Sequence, residues 1–184
     1  GMVGEGLNAR QMFTPASFKN AVNIAMAIGG STNTALHLPA IAHSAEVPFT
    51  LDKFEEAANV PTLLAVSPNG PYGIQDVWAA GGMPAVLKQM ERFLDTSTMT
   101  VTGKPLKDTI DKARVINDTV IPPVERAFRP IGGITVLRGN LAPDTAIIKQ
   151  AGVSEDMLQC QGPAICFNSE EDAIKAIAAG KIKA

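Results

Sequence analysis

Gly29, Gly30, Ser31, Thr32 and Asn33 bring together the groups that bind a small anion. Two hydroxyls, one amide side chain and several backbone N–H groups converge where a helix is expected to begin. A helix N-terminus carries partial positive charge, so the corner could hold a carboxylate or a phosphate. The same residues are also typical of a plain cap between two helices. Local chemistry alone favours the cap, because such caps are common.

The flanking sequence predicts the two helices that position this corner. Residues 15–28 have apolar side chains at helical spacing, with Thr14 as a suitable N-cap and proline as the first helical residue. The paired glycines are expected to end this helix, since glycine readily adopts the left-handed conformation. One of the residues 31–33 then caps a second helix that runs to about residue 45.

The remainder of the chain changes character near residue 117. Before it, helices are predicted from residue 74 to a second Gly-Gly corner at 81–82, then from Pro84, and from Pro105 to residue 110; residues 98–102 are β-prone. After it, prolines interrupt the chain and strands are predicted at 134–138, 146–149 and 164–167. Asn168 and Glu171 resemble a capping box for a last helix that ends before Gly180.

The composition limits the possible function classes. The chain has 184 residues, a net charge of −2, 46% apolar residues and 5% aromatic residues. This balance suits a folded globular protein but gives neither the basic surface nor the stacking residues of a nucleic-acid binder. No apolar run approaches the roughly 20 residues of a membrane span. Two cysteines are too few for a disulfide scaffold, so a cytoplasmic protein is expected.

The histidines and cysteines do not predict a metal site. His37 and His43 are six residues apart, about 240° around a helix, and so cannot share a ligand on one face. We expect His37 to be buried and hydrogen-bonded, and His43 to lie at the surface. Cys160 and Cys166 lack further soft ligands nearby and are interpreted as small apolar residues.

Two other polar features are weaker candidates. The acidic residues at 52–56 and 170–172 are expected to form solvated helix faces. Asn140 follows a glycine in a predicted turn between two strands. It is interpreted first as turn chemistry and second as a substrate contact.

An ordered series of motifs resembles the iron–sulfur dehydratase family that contains dihydroxy-acid, 6-phosphogluconate and sugar-acid dehydratases. One Gly-Gly-Ser-Thr-Asn sequence would be weak support, but the series covers nearly the whole chain. The dihydroxy-acid dehydratases are the most similar branch, through residues 50–54 and 169–174. The matching segments are 29–33, 36–38, 40–43, 80–86, 100–104, 132–134, 139–143, 162–164 and 169–173.

This resemblance implies dehydration of a 2,3-dihydroxy acid to a 2-keto acid. In the full-length family an iron–sulfur cluster acts as Lewis acid on the C3 hydroxyl, and magnesium holds the carboxylate and the C2 hydroxyl. The substrate-binding residues implied here are Gly30, Ser31, Thr32 and Asn33, with Asn140 as a second choice. No catalytic or metal-binding residue is assigned, because the family's cluster cysteines, Cys-Asp-Lys segment and catalytic serine segment have no counterpart in this chain.

The resemblance therefore implies a central fragment of mixed α/β (α+β) class. Residues 1–120 would be the mainly helical end of an α/β N-terminal domain, and residues 121–184 a linker and the start of a β-barrel-like C-terminal domain. The parent would be a cytoplasmic homodimer in branched-chain amino-acid biosynthesis, with a small dihydroxy acid as partner and neither nucleic acid nor membrane. The fragment alone is expected to be inactive and to bind no cofactor. The alternatives are a sugar-acid or 6-phosphogluconate dehydratase fragment, or a non-catalytic domain that binds an acid or a partner.

Overall fold

Short helices make up most of the regular structure. The computed structural model describes residue 4 and residues 6–182. The described residues divide into two compact units, and the division along the chain falls between Val153 and Ser154. The helices of the first unit are α1 (Ala9–Met12), α2 (Pro15–Ala27), α3 (Thr34–Ser44), α4 (Asp52–Glu56), α5 (Ile74–Ala79), α6 (Gly82–Gln89) and α7 (Leu106–Lys112).

Helix α2 begins and ends as its sequence predicts. Its N-terminus is a capping box: the Thr14 hydroxyl accepts the Ser17 N–H, and the Thr14 N–H donates to the Ser17 hydroxyl. Its C-terminus turns at Gly29, whose φ is +58°. The core of the first unit lies against α2, α5 and α6. It includes the fully buried side chains of Met26, Leu63, Val86, Met90 and Ile121.

Among the described residues the only sheet is a two-stranded hairpin. Strand β1 (Thr135–Leu137) pairs antiparallel with β2 (Ala146–Ile148), and Val136 is opposite Ile147. Arg138, directly after β1, lies 2.7 Å from Asp52 and 3.0 Å from Glu55 of α4. These acidic residues are exposed as expected, and their ion pairs tie the hairpin to α4. The fold is of mixed α/β class; completion of a barrel stays a prediction.

The strand predicted at residues 164–167 is absent, and the β-prone residues 98–102 form no strand. Residues 98–102 form a turn with one isolated bridge, between Met99 and Pro105. Residues 164–167 have no regular secondary structure. Residues 164–167 are β-prone, but a strand forms only where another strand supplies hydrogen bonds, and in the described part of the chain none pairs with them.

The second unit contains one α-helix in its described residues, α8 (Glu170–Ala178). Its N-cap is Ser169, whose hydroxyl accepts the Asp172 N–H at 3.2 Å, and not Asn168 as predicted. The chain leaves α8 through Gly180 with φ +65°, as expected for a helix C-terminus. In neither unit, over the residues described, is a helix long and apolar enough to cross a membrane.

Candidate functional site

The Gly-Gly corner after α2 is a Schellman motif. The Gly30 N–H donates to the Ala25 carbonyl at 2.9 Å, and the Gly29 N–H donates to the Met26 carbonyl at 3.3 Å. Gly29 is buried and holds the left-handed conformation. The Gly30 N–H, one of the groups predicted to face a ligand, is therefore used by the helix end.

Distant segments fix the buried side of this corner. The Gly133 N–H donates to the Met26 carbonyl at 3.2 Å, and the Ala27 carbonyl accepts the N–H groups of Leu63 and Leu64. A Cβ placed on Gly133 would lie 2.7 Å from the Gly29 Cα. The backbones at Gly29 and Gly133 thus approach more closely than a side chain at position 133 would permit, so the corner has little freedom to move.

Asn69 and Thr62 also border the buried side, and sequence reasoning missed both. A Cβ on Gly29 would lie 3.5 Å from the Asn69 amide nitrogen and 3.5 Å from the Thr62 methyl carbon. Asn69 lies in the segment Pro68-Asn69-Gly70-Pro71, whose residue types predict a turn and no more. Nothing in its local sequence indicates this contact, which depends on tertiary packing.

The polar side of the corner faces outward. Ser31 and Asn33 are exposed, while Thr32 and Thr34 are half-buried. The Ser31 hydroxyl accepts the Asn33 N–H at 3.2 Å, and the Thr34 hydroxyl donates to the Ser31 carbonyl at 2.7 Å. Ser31 is thus the residue of the predicted trio whose side chain caps the turn into α3.

Asn33 is free to contact another molecule. It precedes α3 directly, but its side chain makes no capping hydrogen bond. Across the described residues, the Asn33 amide and the Thr32 hydroxyl have no hydrogen-bond partner. Both groups are neutral at pH 7, so the corner can bind a hydroxyl or carboxylate but cannot transfer a proton as an ordinary acid or base.

Asn140 lies apart from this network. It is exposed in the loop between β1 and β2, beside Leu141, which is 96% exposed. No hydrogen bond joins it to residues 29–34 in the described part of the chain. Its role in substrate binding stays a prediction.

The prediction for His37 is wrong. Its side chain is exposed and lines an open cavity of about 720 Å³ between α1 and α3. The expectation assumed that α3 would be covered on this side, and the described residues leave it uncovered. His43 is exposed as predicted. Cys160 and Cys166, interpreted as small apolar residues, are also exposed.

The described residues do not fit a metal ion or an iron–sulfur cluster. They contain no group of three or more His, Cys, Asp or Glu side chains arranged to hold a metal. Cluster sites in proteins generally need several cysteine thiolates converging on the iron atoms. We therefore assign no step to a metal through the residues of this chain.

The chain is similar in sequence to known dehydratases. The family described as dihydroxy-acid/6-phosphogluconate dehydratase N-terminal matches residues 1–109, and the corresponding C-terminal family matches residues 119–184. A protein named dihydroxy-acid dehydratase from Syntrophotalea carbinolica is 45% identical over 184 residues, which is 100% of this chain and 33% of that relative. Relatives of the same name are 44% identical in Thermodesulfovibrio yellowstonii (99% of this chain, 33% of the relative) and 43% identical in Methanothrix thermoacetophila (100% and 34%).

These matches cover the chain from end to end but only part of each relative. The chain spans about a third of the length of the curated relatives it matches. The N-terminal family model matches residues 1–109, more than half of the chain, and the C-terminal model of the same family matches residues 119–184. The chain belongs to the dihydroxy-acid/6-phosphogluconate dehydratase family.

Proposed function

We propose that this chain is the central part of a hydro-lyase that converts a 2,3-dihydroxy acid to a 2-keto acid. The observation that carries the proposal is the 45% identity, over the full chain, to a protein named dihydroxy-acid dehydratase. We further propose that residues 1–120 complete an N-terminal domain and that residues 121–184 begin a C-terminal one. In the parent this reaction would serve branched-chain amino-acid biosynthesis in the cytoplasm, in a homodimer.

Within that enzyme, we propose that the polar face of the corner binds substrate. Ser31, Thr32 and Asn33 are the named candidates, and Asn140 is the secondary one. The exposed, unpaired Asn33 amide and the rigid support from Gly133 favour this role, since a binding group must be held in a fixed position. Gly30 contributes the turn and not its N–H, which Ala25 accepts.

The proton transfer and the metal chemistry are assigned to other parts of the parent. The family resemblance implies an iron–sulfur cluster and magnesium, and the residues described here do not fit either group. We therefore propose that their ligands come from outside residues 1–184 and that the chain alone is inactive. Its own contribution is to bind and orient the hydroxyl or carboxylate groups of the acid.

The test is Asn33→Ala in the longer protein that contains this chain. Asn33 makes no side-chain hydrogen bond with the described residues, so folding should be unchanged while turnover of a 2,3-dihydroxy acid falls more than tenfold, about 1.4 kcal/mol. Asn59→Ala is the matched control, because Asn59 is also exposed but lies in the loop after α4. Turnover within twofold of wild type for Asn33→Ala would contradict the assignment.

The substrate class needs a separate comparison. The family description also includes 6-phosphogluconate dehydratase, so a phosphorylated or unphosphorylated sugar acid is the alternative substrate. Parallel assays with a branched 2,3-dihydroxy acid and with 6-phosphogluconate distinguish them. Absence of turnover with both, combined with binding of a simple carboxylate by the chain itself, would instead favour a non-catalytic acid-binding domain.

A further inference from the structure

Helix α3 carries no Asp, Glu, Lys or Arg on any side and is largely uncovered. It belongs to a run, residues 20–45, that contains no Asp, Glu, Lys or Arg. The two helices of this run differ sharply in burial. α2 buries seven of its residues, whereas α3 buries only Ala42.

Several exposed residues of α3 have the apolar side chains of an interior helix. Leu36 is 67% exposed and Ile41 is 41% exposed, and His37 and Ala40 are exposed between them. A helix that faces solvent normally carries charged residues on its outer face, and a helix without such a face is normally buried. We call Leu36, His37, Ala40 and Ile41 the α3 surface.

Open grooves flank the α3 surface. One cavity, of about 720 Å³, lies between α1 and α3, with Phe13, Ala40 and Ile41 in its wall. A second, of about 510 Å³, shares Phe13 and Ile41 and continues to Val101, which is 71% exposed. The surface therefore has both protruding side chains and recesses, as the docking face for another helix or strand would have.

We infer that the α3 surface is covered, in the longer protein, by polypeptide from outside residues 1–184. The inference rests on the proposed function, in which this chain is one part of a larger enzyme. Relatives aligned over the whole of this chain are about three times as long, so two thirds of their length remains to pack somewhere. The covering segment is uncharged and mainly apolar, with a polar group opposite His37, because no Asp, Glu, Lys or Arg on α3 could pair with a charge opposite.

A segment of the same polypeptide is a better occupant than a second copy. Association of two separate copies must offset roughly 4–15 kcal/mol of lost translational and rotational freedom, whereas a tethered segment avoids most of that cost. The position of α3 also has a consequence for the site. Ser31, Thr32 and Asn33 directly precede it, so the covering segment reaches the corner and supplies further walls of the binding site.

Thiol labelling measures directly whether the α3 surface is covered in the longer protein. In a Cys160→Ser, Cys166→Ser background, Leu36→Cys places one thiol on the α3 surface, and its labelling is read at residue 36 by peptide mass spectrometry, because the longer protein is proposed to hold cluster cysteines elsewhere. We expect its reaction with a maleimide to be at least tenfold slower in the longer protein than in the 184-residue chain. Thr119→Cys, an exposed turn position, is the control and should react at the same rate in both. Equal rates for Leu36→Cys in both proteins, or a coding sequence that ends at residue 184, would overturn the inference.

A charged residue at position 36 distinguishes a tethered segment from a second copy as the occupant of the α3 surface. Leu36→Glu should leave the denaturation midpoint of the 184-residue chain unchanged and reduce its binding of an apolar dye severalfold, yet lower the midpoint of the longer protein. If the 184-residue chain instead forms dimers that Leu36→Glu dissociates, a second copy covers α3 and the inference is wrong. If labelling shows α3 covered but the longer protein turns over no dihydroxy or sugar acid, the proposed function fails and the cover stands.

Discussion

Gly133→Ala tests the contact that supports the candidate site. A Cβ at this position would lie 2.7 Å from the Gly29 Cα, 3.2 Å from the Met26 carbonyl oxygen and 3.4 Å from the Gly29 nitrogen. All three are backbone atoms of a hydrogen-bonded helix end, so no flexible side chain can move to make room. The substitution must therefore push the segment at residue 133 away from the corner.

The expected loss of stability combines three effects. Overpacking costs about 1–3 kcal/mol, and weakening the bond from the Gly133 N–H to Met26 costs about 1 kcal/mol. Restricting the unfolded chain returns about 0.4–1 kcal/mol. These ranges combine to a net loss of about 1–3.5 kcal/mol. Gly29→Ala should cost less, about 1 kcal/mol, because its nearest neighbours are at 3.5 Å and only the φ of +58° opposes it.

Urea denaturation of the 184-residue chain, followed by far-ultraviolet circular dichroism, measures these differences. Fluorescence is a poor probe here, since the single tryptophan, Trp78, is already 82% exposed in the folded chain. Gly139→Ala is the control, because a Cβ there meets nothing within 4 Å. Equal midpoints for Gly133→Ala and Gly139→Ala would refute the close contact. Equal losses for Gly133→Ala and Gly29→Ala would show that backbone conformation, and not the contact, decides the stability of the corner.

Three further substitutions test other parts of the first unit. Asn20→Ala removes three hydrogen bonds of a buried amide, two to the Asp95 backbone and one to the Thr98 hydroxyl, and should lower the free energy of unfolding by about 2–4 kcal/mol in urea denaturation. Glu46→Gly should raise it by about 0.5 kcal/mol, seen as a higher Tm, because Glu46 ends α3 with φ +61°, a conformation that favours glycine. Asp95→Asn should remove a pH dependence. The Ser97 hydroxyl, and then the Ser97 N–H, donate to the Asp95 carboxylate and hold its pKa below the ordinary value. The stability from Asp95 is thus complete above about pH 4 and is lost as the pH falls through the lower folded pKa.

Each of these expectations has an outcome that contradicts it. If Asn20→Ala lowers the free energy of unfolding no more than Asn59→Ala does, the buried amide of Asn20 contributes little to stability. A lower Tm for Glu46→Gly would mean that the exposed ion pair with Arg10 outweighs the backbone strain. A stability difference between wild type and Asp95→Asn that stays constant from pH 6 to pH 2 would contradict the lowered pKa.

Local sequence signals predicted where the helices end but not the tertiary contacts that these helix ends make with distant segments. The Thr14 cap and the left-handed Gly29 follow from rules that involve four or five neighbouring residues, and both are confirmed. The same rules imply that the second glycine of a Schellman motif donates its N–H to the helix, which the anion-cradle hypothesis for Gly30 did not take into account. The approach of Gly133 to Gly29 joins residues about a hundred positions apart, and periodicity carries no information on such pairs.

Strand prediction failed for a related reason. Residues 134–138 and 146–149 have the composition of strands and find each other across a short loop. Residues 164–167 have a similar composition but no partner in the described part of the chain. β-propensity measures how well side chains fit a paired, half-covered surface, so it has no structural consequence without the second strand.

The error at His37 has an instructive physical origin. A histidine in an uncharged, apolar helix is normally buried, and in the 184-residue chain it is exposed on the α3 surface. A sequence pattern reflects burial in the whole folded protein, whereas the exposure of His37 is that in the 184-residue chain alone. If polypeptide outside this chain covers α3 as inferred, His37 becomes buried and must find a hydrogen-bond partner in the covering segment. His37, whose exposure contradicts its sequence pattern, is then the residue expected to contact that segment.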